Sequence, residues 1–347
     1  MRRVAAAIGV ATLTLILTAP PAAAHTVTGV KPSNFNSRIL GIRPAAPDLF
    51  VRLLDLGRRI ELRNRGRHDV IVLGYDNEPY LRVGPSGAFE NRRSRSRYVN
   101  RLPSVGAQTN LPATTDTNAT PSWRRVRTDP VVRWRDQRTR YEARPPAGGA
   151  QVLGTWNIAL VRGDASMTVT GILTYVPGPS PWVWAATVVA LVALTAAAAF
   201  RTRWGRWLSL ALALLLASDA IHSFGTAAAT HESFAAQLVK VLLAGLVTTM
   251  AWIIGVVSIP SLQRNHEGGL VAAGGVGMVV AAFGGVTDVG VFANSQVASV
   301  FPAVTARIAV ALALGLGVGL VIAAVIVIAR DPRLRPTTTG TPVRPLR

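Results

Sequence analysis

Residues 167–204 read MTVTGILTYV PGPSP WVWAATVVALVALTAAAAF RTRW, and this stretch decides the architecture. Met167 to Val176 is a short run of Val, Thr, Ile and Tyr with the composition of a β-strand. Pro177-Gly178-Pro179-Ser180-Pro181 then forms a stiff break, because proline fixes its own φ and removes a donor. The apolar run that follows, to about residue 200, has the ~20 residues needed to cross a bilayer as a helix. It ends at Arg201 and Arg203, with Trp182 and Trp184 at one end and Trp204 and Trp207 at the other, the pattern of interfacial aromatic belts. A β-rich polar half therefore gives way here to a helical membrane half.

Working forward, further apolar spans are predicted at about 207–224, 236–258, 269–288 and 304–329, which makes five with the first. Excess Lys and Arg in short loops stays on the cytoplasmic side. One set of connections carries Arg201, Arg203, Arg206, Arg264, Arg330, Arg333, Arg335, Arg344 and Arg347, whereas the loops 225–235 and 289–303 carry no Lys or Arg. The expected localisation is a multi-pass cell-membrane protein with its N-terminal domain extracytoplasmic and its C-terminal tail cytoplasmic.

Working backward, the polar half reads as several short strands separated by turns. They are expected at Leu49–Leu54, Arg59–Arg63, Val70–Leu73, Tyr80–Val83, Ala88–Glu90, Val131–Trp134, Trp156–Val161 and Met167–Val176. Gly84-Pro85-Ser86-Gly87 and Arg162-Gly163-Asp164 supply hairpin chemistry. In a domain of about 150 residues this argues for an antiparallel, Ig-like sandwich. Residues 91–120 read as a long, partly mobile loop.

The chain opens with Met1 to Arg3, two of them cationic, then an apolar stretch from Val4 to Thr18 and the small residues Ala22-Ala23-Ala24. This is the pattern of a signal peptide cut after Ala24; a retained N-terminal anchor is the alternative. The expected organisation is a signal peptide over 1–24 and an Arg-rich extracytoplasmic sandwich over 25–176. A Pro-rich linker over 177–181, a helical membrane domain over 182–329 and a disordered basic cytoplasmic tail over 330–347 follow.

The formal net charge is +20, and residues 26–180 hold 24 Lys and Arg against 12 Asp and Glu. A domain so charged attracts anions: outside a cell these are lipid headgroups, acidic envelope polymers or an acidic integral membrane partner, and not nucleic acid. Only Lys31 and Lys240 are lysines. The arginine bias suits bidentate binding of phosphate or carboxylate and equally reflects genomic composition. With no cysteine in the chain, disulfides, thiolate metal sites and a Cys nucleophile are excluded.

Three constellations bear on chemistry. Arg92, Arg93, Arg95 and Arg97 form a concentrated cationic segment, read as an anion contact or as a solvated loop. His25, as a mature N-terminus, would offer its amino nitrogen and a ring nitrogen in one chelate suited to copper, with His68 as a further ligand. Asp219, His222, Lys240, Asp288 and Arg307 lie near the same ends of the spans. They read either as a polar pocket for an ion, proton or small solute or as interhelical ion pairs. Asp219 and His222, three residues apart, share a helix face. Asp76 and Glu78 read as solvated carboxylates at a strand edge. The glycines at 274–277, 284–285, 315, 317 and 319 read as helix-packing positions. No catalytic or nucleotide motif is present, so the chain is read as a non-enzyme without cofactor, copper being the alternative.

The run Val72-Leu73-Gly74-Tyr75-Asp76-Asn77-Glu78-Pro79-Tyr80-Leu81-Arg82, the Gly84-Pro85 turn with Glu90-Asn91-Arg92, and Gly285-Val286-Thr287-Asp288 with Ser295-Gln296 carry a resemblance. They are similar to a group of uncharacterised exported membrane proteins of actinobacteria, over nearly the whole chain. The resemblance implies the architecture and no particular activity. In similar sequences a stretch Trp-His-Asp-His stands where this chain has Trp134-Arg135-Asp136-Gln137, which implies that this chain lacks those His ligands. In layout alone, with His25, the chain also resembles CopC/CopD-type copper proteins, without their Met-rich and His-rich ligands and with fewer spans. The function read from these features is an envelope binding or scaffold protein that engages an anionic ligand or a membrane partner. Copper handling and small-solute or ion transport are the alternatives.

Overall fold

A computed structural model describes residues 30–102, 110–141, 144–230 and 232–330. The expected signal peptide, His25 and the tail beyond Arg330 lie outside them. The described chain forms two units, an antiparallel β unit and a helical unit.

The β unit holds ten strands: β1 (Phe35–Arg43), β2 (Leu49–Leu54), β3 (Arg59–Asn64), β4 (Val70–Leu73), β5 (Pro79–Gly84), β6 (Gly87–Asn91), β7 (Trp123–Arg127), β8 (Val131–Arg135), β9 (Gln151–Arg162) and β10 (Ala165–Tyr175). Seven form one sheet in the order β1-β10-β9-β4-β5-β6-β7, and β2-β3-β8 form the other. Every pairing is antiparallel. Alternate side chains of the two sheets meet in one core. Ile60, Leu62, Val132 and Trp134 come from the small sheet, and Val70, Val72, Leu81, Val83, Trp156, Ile158, Leu160 and Val169 from the large one. This is a sandwich with unequal layers, and each such side chain contributes about 1.5–3 kcal/mol by leaving water.

Two strands absent from the sequence-based expectation, β1 and β7, are the two edges of the larger sheet. Their burial explains the omission. In β7, Arg124 to Arg127 are all exposed, and β1 alternates only between exposed and half-buried positions. No apolar pattern marks them; charge at an edge also discourages pairing with another chain.

Residues 91–102, expected as loop, carry a helical turn, α1 (Ser96–Val99), packed into the β unit by the contacts described below. The β unit also takes in residues 293–298 from far along the chain. The Ser33 amide donates to the Gln296 carbonyl (3.1 Å), the Gln296 amide to the Ser33 carbonyl (2.8 Å), and the Ser295 hydroxyl to the Val176 carbonyl (2.7 Å). Among the described residues the chain thus passes between the two units three times, after Pro179, Phe292 and Ala298.

The helical unit contains α2 (Pro181–Ala198), α3 (Trp204–Ala228), α4 (Phe234–Val239), α5 (Leu246–Gln263), α6 (Glu267–Val280) and α7 (Ala303–Arg330). Pro181 opens α2 at a first-turn position, where a missing N–H costs nothing. Helix α6 continues through a π-helical segment, Ala281–Gly285, into a 3-10 segment, Val286–Phe292. Among the described residues five helices are long and apolar enough to cross a membrane: α2, α3, α5, the run Glu267–Phe292, and α7. That set is compatible with a multi-pass membrane protein. The third span differs from the expected 236–258. A π-helical segment, Lys240–Ala244, and a break at Gly245 part α4 from α5, so the long helix begins at Leu246.

Helix α7 is the centre of this unit, packing against α2, α3 and α6. Its glycines serve as packing positions. A Cβ at Gly317 would stand 2.5 Å from the Gly277 carbonyl oxygen, so the backbones of α6 and α7 touch.

Candidate functional site

In the β unit the polar groups concentrate where the β4–β5 loop, the segment around α1 and the end of β8 meet. Glu78, only 2 % exposed, is held without any cation. Its Oε1 accepts from the Ser94 hydroxyl (2.7 Å), the Ser96 hydroxyl (2.8 Å) and the Ser96 amide (3.0 Å), and its Oε2 from the Asp76 amide (3.0 Å). Burial works to raise the Glu78 carboxyl, but these donors prevail and hold it below the usual glutamate range. The Tyr75 amide in turn donates to the Ser96 hydroxyl at 2.9 Å. A Cβ on Gly74 would collide with Glu78 Oε1 and Ser96 Oγ, so glycine is required for the loop to close on the carboxylate.

Beside it, Asp136 is fully buried and accepts from the Trp134 indole (3.0 Å), the Arg138 amide (3.0 Å) and the Arg138 guanidinium (2.9 and 2.8 Å). The Tyr75 hydroxyl accepts from the Gln137 amide (2.8 Å) and donates to Asn100 Oδ1. Burial first, and then the charge of Asp136, push the Tyr75 phenol well above its ordinary range. The two carboxylates and the Tyr75 hydroxyl are each held by several partners, which ties the three segments together.

A second carboxylate carries a different charge balance. Glu90, at the end of β6, receives three guanidiniums on one oxygen: Arg97 (3.0 Å), Arg101 (3.1 Å) and Arg124 (3.3 Å). One negative charge faces three positive ones. Arg97 is largely buried and lies over the Tyr98 ring (5.3 Å), whereas Arg101 and Arg124 are about half exposed. Guanidiniums with unused, solvent-facing donors suit an oxyanion.

The expected cationic segment is therefore divided. Arg97 is committed to Glu90, Arg95 pairs with Asp76 at 3.2 Å, Arg93 donates to the Thr120 carbonyl at 3.1 Å, and Arg92 is exposed with its amide on the Ser122 carbonyl. Sequence proximity drew attention to four neighbours. The structure instead gathers Arg97, Arg101 and Arg124 from two segments, and only Glu90, itself buried, marks the place. Of the proposed metal ligands, His68 is exposed on the β3–β4 turn, its carbonyl accepting from Asn64. Among the described residues no group of three or more His, Asp or Glu is placed to hold a metal ion.

Glu78 and Asp76, read from sequence as solvated, part company: Asp76 is exposed and Glu78 buried. The sequence does not mark Glu78, because its donors lie 16 and 18 residues away in a segment expected to be loop.

In the helical unit the structure brings together three of the five expected polar residues. Asp219, 3 % exposed, accepts from the Trp252 indole of α5 at 2.8 Å. His222 Nε2 lies 3.0 Å from Asp288 Oδ2. Gly284, in the π-helical segment, lies against Asp219, since a Cβ there would stand 2.5 Å from Oδ1. Lys240 leaves the group to pair with Glu232 (2.7 Å), and Arg307 donates to the Val291 carbonyl (3.0 Å).

Together these features define a class of protein: an antiparallel β-sandwich with an arginine-rich rim, joined to a helical unit with five membrane-length helices. No protein-family model, curated protein or solved structure matches the chain.

Proposed function

We propose that the chain is a membrane-held binding protein, not an enzyme, whose sandwich engages a phosphate-bearing anion outside the cytoplasm. The observation that carries this reading is the convergence of Arg97, Arg101 and Arg124 on the single carboxylate of Glu90. The site keeps an excess of positive charge, and two of its three guanidiniums have donors open to solvent. The segment that bears Arg97 and Arg101 is tied down through Ser94, Ser96 and Asn100, so little ordering has to be paid when a ligand arrives. Orientation follows from the arginine-bearing loops, which belong on the cytoplasmic side. A phosphate-rich envelope polymer and an anionic lipid headgroup present the same chemistry.

The test uses the full chain reconstituted in zwitterionic vesicles, with soluble polyphosphate as the probe for the polymer and vesicles containing anionic lipid as the probe for the headgroup. Binding to one of them is expected to weaken steeply with salt, since exposed charge attraction is screened over ~8–10 Å at physiological strength. Arg101→Ala and Arg124→Ala together leave the buried Arg97–Glu90 pair intact. They should cost about tenfold or more in affinity, each charge-assisted hydrogen bond being worth about 1.5–3 kcal/mol before screening. Binding that ignores salt, or that survives the double substitution unchanged, overturns the reading.

A further inference from the structure

We infer that the helical unit contains a proton-binding site: Asp219 holds a proton within the bundle, and His222, seated on Asp288, is the group with which it exchanges that proton. The inference is independent of the anion site.

Charge within the cluster is the first argument. The ionisable groups whose charge acts on Asp219 are His222, one turn along α3, and Asp288, from the 3-10 segment that follows α6. Its partner from α5, the Trp252 indole, is neutral. Of the nearby cations, Lys240 pairs with Glu232, and Arg307 donates to the Val291 carbonyl and is not among the charges that act on Asp219. Even with His222 counted as an imidazolium, two carboxylates leave a net negative charge among apolar helices, where an uncompensated charge is expensive. One further proton removes it.

Geometry supplies the exchange. The π-helical segment Ala281–Gly285 sets Gly284 against Asp219, and the 3-10 segment after it sets Asp288 on His222. Such local departures from α-helical winding recur where a helix must present groups for function. The exchange follows loss of one proton from the imidazolium: the O–H bond of Asp219 then breaks and an N–H bond forms on the imidazole so left neutral. A carboxylate and an imidazolium result, and Asp288, 3.0 Å from Nε2, stabilises the imidazolium. The total charge of the cluster is unchanged, and no electrons move.

The experiment is infrared spectroscopy of the full chain in lipid vesicles as a function of pH. A protonated-carboxyl C=O band is expected in the wild type. It should vanish in Asp219→Asn and shift in frequency in Trp252→Phe, which removes the indole donor but keeps an aromatic ring of similar bulk. In His222→Gln the band should persist while the pH at which it titrates moves by about one unit or more. A wild type without the band, or a band that survives Asp219→Asn, overturns the site. A band unmoved by Trp252→Phe assigns it to another carboxyl and also overturns it, and an unchanged titration in His222→Gln overturns the exchange.

Discussion

A carboxylate buried without a cation stays ionised only if donors replace its water, and Glu78 shows how few suffice: two hydroxyls and two amides. Replacing it with Gln turns one acceptor into a donor facing other donors, which should cost about 2 kcal/mol of local stability. Hydrogen exchange of the full chain should show that loss at the Tyr75, Asp76 and Ser96 amides. Glu61 is treated differently. Burial also works to raise its carboxyl, but Arg52 and Arg133 bring it below the usual range. Since both glutamates have lowered folded values, their stabilisation is present above the unfolded pKa of about 4.3 and lost as pH falls through the folded values. Protection should therefore stay level from neutral pH to about 5 and decline below about 4, and Glu78→Gln should flatten part of that decline. The two phenols run the other way. Burial above all raises Tyr75 and Tyr80, so their contribution is present below about pH 10 and lost as pH rises further. Ultraviolet titration should find two of the five tyrosines silent until the β unit unfolds.

At the scale of elements, the contact between α6 and α7 makes the sharpest prediction. Gly317→Leu drives a side chain into the Gly277 backbone and should cost about 1–3 kcal/mol, read as a lower thermal transition in detergent. Val318→Leu, one residue along on the outward face of α7, should leave the transition unchanged. The helices were legible in the sequence because an apolar run of twenty residues has few other uses, and α7, at 28 residues or about 42 Å, exceeds the ~30 Å hydrocarbon core. The interior strands were legible because burial on one face leaves an apolar period. Where burial is absent the signal is absent as well, which is why edge strands β1 and β7 were missed. The same limit applies to the sites. Asp219, His222 and Asp288 stood out because charge is rare in a span, whereas Glu90 and Asp136 were two acids among many in an arginine-rich domain.

For the whole molecule, the distribution of arginine carries an expectation about orientation. Thr202, in the connection between α2 and α3, is exposed and flanked by Arg201 and Arg203. Val300, in the cation-free loop before α7, is also exposed. The chain has no cysteine, so Thr202→Cys and Val300→Cys each create a unique thiol without disturbing a native one. If the positive loops face the cytoplasm, a membrane-impermeant maleimide added to intact cells should label Val300→Cys at once and Thr202→Cys only after permeabilisation. The reverse pattern would put the sandwich in the cytoplasm. It would then deprive the Arg97–Arg101–Arg124 rim of envelope anions, leaving that surface to cytoplasmic phosphates. Residues 293–298 sharpen the argument, because they belong to the β unit and lie in the same loop as Val300. Whichever side labels Val300→Cys is therefore the side that holds the sandwich and its anion site.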